Sequence, residues 1–241
     1  YHILNRSIWH YIGNAIKMIN KINNPMRKLI SYLFLLISVT LVAQDEKSIN
    51  VGDFATLKVF NGIEVELIAS EASKIVVSGA KADKLKFKNV NGVLKLSLPF
   101  SIKPEENYAD GDVLVTLYYR KPIMVVDANE GATITGKGFE QSQLEVNAQE
   151  RAFINLNIKT KNVNVRTSSG GIVKLTGTTK NQEVDVDLYG TYHGYELKTS
   201  GLTRVKAGTG AKAEIYSDTT LEAKVSFGGS IFYKGSPEVI K

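Results

Sequence analysis

The 241-residue sequence contains no cysteine. Disulfide staples, a lipid-modified cysteine and a thiolate nucleophile are therefore excluded. Histidine is nearly as scarce. Of the three, His2 and His10 fall in the first ten residues, which leaves His193 alone in the remainder. One histidine without cysteine cannot supply the usual zinc ligand set, and Ser-His-Asp arrangements have little to build on. No G-x-S-x-G elbow, P-loop or dinucleotide fingerprint occurs either. A long helical period is also missing after residue 44, so the chain reads as almost wholly β.

The formal charge of +6 suggests nucleic-acid or membrane partners at first sight. Its source argues otherwise. Residues 1–43 carry Arg6, Lys17, Lys21, Arg27 and Lys28 and no acid, so the remainder is close to neutral and no nucleic-acid footprint is expected. Met26-Arg27-Lys28 followed by the apolar run Leu29 to Val42 reads as a start and a signal peptide, with cleavage near Ala43 or Gln44. On this reading residues 1–25 are a spurious extension, 26–43 the leader, and 44–241 a single exported domain without a membrane span. It would lie in the periplasm, on the outer-membrane surface or outside the cell.

Within 44–241 the strongest signal is a repeat. Alternating apolar and polar runs, broken by glycine-rich stretches, recur from 123 to 235, and Val126, Val146, Val165, Val186, Val205 and Val225 mark their centres at intervals of 19 to 21 residues. A fixed period of this size indicates stacked units that bury a common core. With the valines inward, one flanking column is Met124, Leu144, Val163, Val184, Thr203 and Ala223, and the other Ala128, Ala148, Thr167, Leu188, Ala207 and Phe227. A second inward set includes Ile134, Ile154, Leu156, Val173, Leu175, Tyr195, Leu197, Ile215 and Tyr233. Outward, Asp187 falls between Arg166 and Lys206, and Asp185 beside Arg204. Charges that alternate between coils suit a parallel stack. The expected fold is all-β, a right-handed parallel β-helix of about twenty-residue coils. It is preceded, over 44–122, by antiparallel strands and hairpins. Asn61-Gly62 and Asn91-Gly92 are expected hairpin turns, because both residues tolerate positive φ.

Three stretches also resemble the putative auto-transporter adhesin family with a head GIN domain, secreted proteins of Gram-negative bacteria. They are Val59-Phe60-Asn61-Gly62-Ile63-Glu64-Val65-Glu66-Leu67, the glycine-punctuated strands of 123–235, and Gly228-Gly229-Ser230-Ile231-Phe232-Tyr233-Lys234-Gly235-Ser236-Pro237. The resemblance implies a parallel β-helical fold and carries over no catalytic residue.

Two constellations remain as candidate sites. Asp185 and Asp187 form a carboxylate pair with Arg204 and Lys206 nearby, which suits a glycan-active lyase or hydrolase; the plainer account is a charge ladder. Tyr189, Tyr192 and His193, with Tyr195, crowd one bend, where exposed aromatics would stack on sugar rings or on a protein partner. The plainer account there is packing, with Tyr195 in the core. The sequence thus favours a non-enzymatic, adhesin-like envelope protein without cofactor or metal, binding a cell-surface glycan or an envelope protein. A glycan-active enzyme and a periplasmic scaffold or envelope-stress partner are the rivals.

Overall fold

A computed structural model describes residues 48–240; the expected leader 26–43 and the segment 1–25 lie outside the described residues. The described chain is a right-handed parallel β-solenoid with antiparallel strands at its N-terminal end. Its strands are β1 (Ser48–Asn50), β2 (Thr56–Val59), β3 (Glu64–Ala69), β4 (Lys74–Ser78), β5 (Lys86–Val90), β6 (Val93–Ser97), β7 (Leu114–Tyr119), β8 (Val125–Ala128) and β9 (Thr133–Ala148). There follow β10 (Phe153–Thr167), β11 (Ile172–Val186), β12 (Thr191–Thr199), β13 (Leu202–Ala207), β14 (Lys212–Tyr216), β15 (Thr220–Val225), β16 (Ser230–Lys234) and β17 (Glu238–Ile240). Among the described residues no helix is long and apolar enough to cross a membrane.

Each coil crosses two faces. The first face stacks β6, β2, β8, the second halves of β9, β10 and β11, then β13, β15 and β17 in parallel register. On the second face lie β7, β3, the first halves of β9, β10 and β11, then β12, β14 and β16. Alternation puts Ile134, Ile154, Val173 and Ile215 inside on one face and Val126, Val146, Val165 and Val205 inside on the other, all essentially without solvent exposure. Coil stacking keeps both faces of the chain's apolar pattern dry with no helix to cover it.

Most of the sharp corners share one local recipe. Two successive residues adopt positive φ, as at Asn61-Gly62, Glu130-Gly131, Ser169-Gly170 and Phe227-Gly228. Glycine at the second place relieves the strain of the left-handed region. Corners also bond to corners: Gly62 N–H donates to the Glu130 carbonyl at 2.9 Å, Gly131 to Glu150 at 2.9 Å, and Gly170 to Leu188 at 3.1 Å. Backbone groups that a loop would leave to water thus find partners in the next coil.

The repeat extends further back than position 123, and its order in space departs from its order along the chain. β2 lies between β6 and β8, and β3 between β7 and β9. The first coil is therefore threaded between two segments that follow it in sequence. Asn61-Gly62 is a solenoid corner and not the expected hairpin turn, since β2 and β3 pair with other strands on different faces. Asn91-Gly92 does close a hairpin, β5 with β6. β4 is antiparallel to β7, and β1 to β4.

Register corrects the expected columns in two places. Val165 pairs with Val184, not Val186, and Val205 with Ala223, not Val225. A two-residue offset leaves inside and outside unchanged within a strand, so the error surfaces only at strand ends. Leu188 and Phe227, read as core, sit at corners and are 47% and 85% exposed. Met124 is also exposed, and the neighbouring Ile123 is buried in its stead. Outward, Asp185 lies between Arg166 and Lys206, and Glu183 next to Arg204. Charges therefore still alternate between coils, with different members, and Arg204 also bonds Glu222 at 2.7 Å.

Candidate functional site: a polar groove on the second face

The outward column at the middle of the second face runs Glu66, Thr135, Asn155, Lys174, His193, Glu214, Phe232, one residue per coil. Where this column meets β9 the sheet is interrupted. Register shifts between Leu156 and Ile158 because β9 carries one extra residue there, Lys137 and Gly138 standing opposite Asn157 alone, with Gly138 at φ 73°. Such a bulge bends its strand and re-aims a side chain. Phe139 returns to the core and stacks on Tyr119 at 5.5 Å between centroids, while Lys137 is exposed.

The result is an open groove of about 460 Å³ lined by Glu66, Thr135, Lys137, Asn155, Asn157, Lys174 and Thr176, with Leu67, Ile68, Ala69 and Gly136 completing it. Asn157 donates to Thr176 at 2.9 Å, which holds one side of the lining rigid. Neither Lys137 nor Lys174 makes an ion pair among the described residues. With the Glu66 carboxylate set against two ammonium groups the trough stays net positive, and its amides and hydroxyls suit a hydrogen-bonding ligand with negative charge. Sequence reading missed this site. Its one visible signal is Gly136-Lys137-Gly138, a pair of glycines inside an alternating strand.

The bend with the tyrosines is divided between core and surface. Tyr192 is 0% exposed, which corrects its place in an exposed aromatic set; it pairs with Val173 inside the coil. Its hydroxyl donates to Gln182 Oε1 at 3.1 Å, and Gln182 Nε2 in turn donates to Thr199 at 2.6 Å and to the Tyr216 carbonyl at 3.0 Å. Burial pushes the Tyr192 phenol far above its ordinary pKa. Tyr195, read as core, is outside, with the Lys234 ammonium 4.4 Å above its ring. The cause is an irregularity between Lys174 and Thr176 against β12, where Gly194 lies beneath the Tyr192 ring; a Cβ there would come within 2.5 Å of it.

Tyr189 is 72% exposed and sits at the second corner position with φ 62°. Its ring lies over Gly210 of the next coil, where a Cβ would approach within 2.6 Å. His193 is partly exposed, and its Nδ1 lies 2.7 Å from Glu214, which also takes a 2.6 Å bond from Lys212. Burial alone would raise the Glu214 pKa, but the Lys212 and His193 bonds outweigh it and hold the carboxyl low. Neither Tyr189 nor His193 lines the groove.

The carboxylate pair also separates. Asp185 stays on the outward ladder, whereas Asp187 lies past the strand end and accepts the backbone N–H groups of Leu188 at 2.8 Å and Thr209 at 2.7 Å. Those two bonds hold its carboxyl below the usual range. Among the described residues no three acids or histidines gather in a way that could hold a metal ion.

Residues 53–237 match the family described as putative auto-transporter adhesin, head GIN domain, and the chain belongs to that family. Comparison with curated protein sequences gives no significant match. Among solved structures, a putative adhesin from Bacteroides fragilis superposes with a TM-score of 0.70 at 16% identity, over 80% of this chain and 89% of that one. A putative adhesin from Parabacteroides merdae gives 0.60 at 15% identity, over 80% and 90%. A putative lipid binding protein from Parabacteroides distasonis gives 0.55 at 15% identity, over 81% and 91%. At these identities the likeness establishes the fold.

Proposed function

We propose that this chain is an exported, non-enzymatic binding protein of the cell envelope. It is adhesin-like in that it holds a glycan carrying acidic groups along the second face. The observation that carries this reading is the groove at the β9 bulge, where two lysines without ion-pair partners stand among asparagine and threonine side chains. Planar amides and hydroxyls on a ladder of about 4.8 Å match the repeated hydroxyls of a sugar chain, and the ammonium groups select for carboxylate or sulfate. Family membership and the adhesin names of the structural relatives support export and binding. Asp187 is occupied by its corner bonds, which weighs against the lyase or hydrolase reading.

Glycan-array binding followed by calorimetry tests this. Lys137→Ala/Lys174→Ala should weaken binding of an acidic polysaccharide by roughly tenfold or more, with a salt dependence that the variant loses. Cleavage of the glycan that disappears in Asp185→Asn/Asp187→Asn would make the protein an enzyme instead. Saturable binding to an envelope protein alone would favour the protein partner or the scaffold reading.

A second reading is favoured by Tyr189, an exposed aromatic in the left-handed region at a place where every other corner but that of Arg151 carries glycine. On that reading Tyr189 and His193 form the contact, and Tyr189→Ala, rather than the lysine pair, abolishes binding.

A further inference from the structure

The two ends of the solenoid differ in how they are closed. At the N-terminal end Val51 and Phe54 are buried, held in place as Val51 N–H donates to Ser73 and Asn89 donates to the carbonyls of Val51 and Asp53 at 2.8 and 2.9 Å. The outermost strands there are β1, three residues long, and β5, which carries exposed Lys86 and Lys88. Short strands and lysines blunt an edge. At the C-terminal end nothing among the described residues lies over the last coil. Leu221, Ala223, Ile231, Tyr233 and Val239 line an open apolar cavity of about 620 Å³.

The free edge has a defined polarity. Outward residues bond to the preceding coil, as Ile172 N–H does to Ala152, Ser230 N–H to Ala211 and Glu238 N–H to Thr219. Backbone groups of the inward residues point to the following coil, so at the last coil Ile231, Tyr233 and Val239 offer unmatched N–H and C=O groups. β16 and β17 run in opposite directions on opposite faces, and Lys234 and Glu238 flank the corner Gly235-Ser236-Pro237 between them.

We propose that this end docks a second copy of the chain, tail to tail, about a two-fold axis parallel to the strands. That axis lays β16 of one copy over β17 of the other in antiparallel fashion. Tyr233 falls opposite Val239, both inward and both with free backbone groups, so they exchange two hydrogen bonds. Lys234 then falls opposite Glu238, and symmetry makes the pair twice. The apolar end is closed and the edges vanish. The other two-fold, with β16 upon itself, sets Lys234 opposite Ser230 and leaves Val239 two residues out of level with its mate. Head-to-tail stacking finds no open coil to meet, because the N-terminal end is closed over Val51 and Phe54 and its outer strands are blunted. An isologous contact of this kind stops at two copies. The inference is independent of what the groove binds.

Sedimentation velocity of the full chain, from about 1 to about 100 µM, tests it together with Lys234→Glu, Glu238→Lys and the double reversal. A dimer is expected. Each single reversal should weaken it by roughly tenfold, because two like-charge pairs then face each other, and the double reversal should restore it. Both positions are exposed, and circular dichroism checks that each variant is folded. A monomer at every concentration, larger assemblies, a dimer indifferent to the single reversals, or a double reversal that fails to restore it would each overturn the proposal.

Discussion

The head of the solenoid and its tail are made of the same coils joined in different orders. From β9 onward each coil lies on the one before it, and contacts join residues about one coil apart. In the head, β2 and β3 bridge strands from β6 to β9, so that Leu57 touches the register of both Leu94 and Val126. Regular stacking makes the tail divisible. Interlacing makes the head a single cooperative unit, because β2 and β3 cannot leave without opening the stack on both sides.

The largest test of this contrast is deletion. Removing residues 48–69 should abolish folding, since it empties the middle of the stack, whereas removing 226–241 should leave a folded protein with a lower melting temperature; circular dichroism and gel filtration distinguish the two. Next in size are core truncations. Leu117→Ala in the head should cost about 2–5 kcal/mol in urea unfolding and lower the stability of the whole chain, while Ile231→Ala, half-buried in the last coil, should cost about 1 kcal/mol and loosen that coil alone by hydrogen exchange. Smaller again is Tyr192→Phe, which leaves the Gln182 oxygen buried without its donor and should cost about 1–2 kcal/mol, felt in coils β11 to β14.

The smallest effect concerns acid. Asp53 joins the head's entry to the end of β7 through Arg120 and Lys121, the latter at 3.0 Å, and bonds from Arg120 and Lys121 hold its carboxyl far below the ordinary carboxylate range. A depressed folded-state pKa contributes stability that is complete above the unfolded value near 4 and is lost as pH falls through the folded one. Exchange protection of β1 and β4 should therefore decline on acidification below about pH 4, and Asp53→Asn should lower it at neutral pH and flatten the dependence.

Much of the tail was legible because its signal is local and repeated. The alternation told inside from outside at nearly every strand residue, and the glycines marked the corners. What failed did so for physical reasons. Val184 and Val186 are both inward, so composition could not say which was stacked on Val165; coils of unequal length decided it. Tyr192 and Tyr195 exchanged sides because Gly194 sits at an irregularity that breaks alternation, and a lone glycine in a strand is the only hint of that. Interlacing left no trace at all. Asn61-Gly62 specifies two left-handed residues, and a hairpin and a solenoid corner use the same two. The groove was hidden likewise, since Lys137, Asn155 and Lys174 belong to three coils and meet only through register.

The threading of β2 and β3 bears on how the molecule would carry a load. A pull on the C-terminal side peels the outermost coil, then the next, each giving way alone at modest force and lengthening the chain by about a coil. A pull on the N-terminal side frees the edge strand β1 and then meets β2 and β3, clamped on both edges, which must be sheared out together. Under tension the protein would lengthen from one end while its root held.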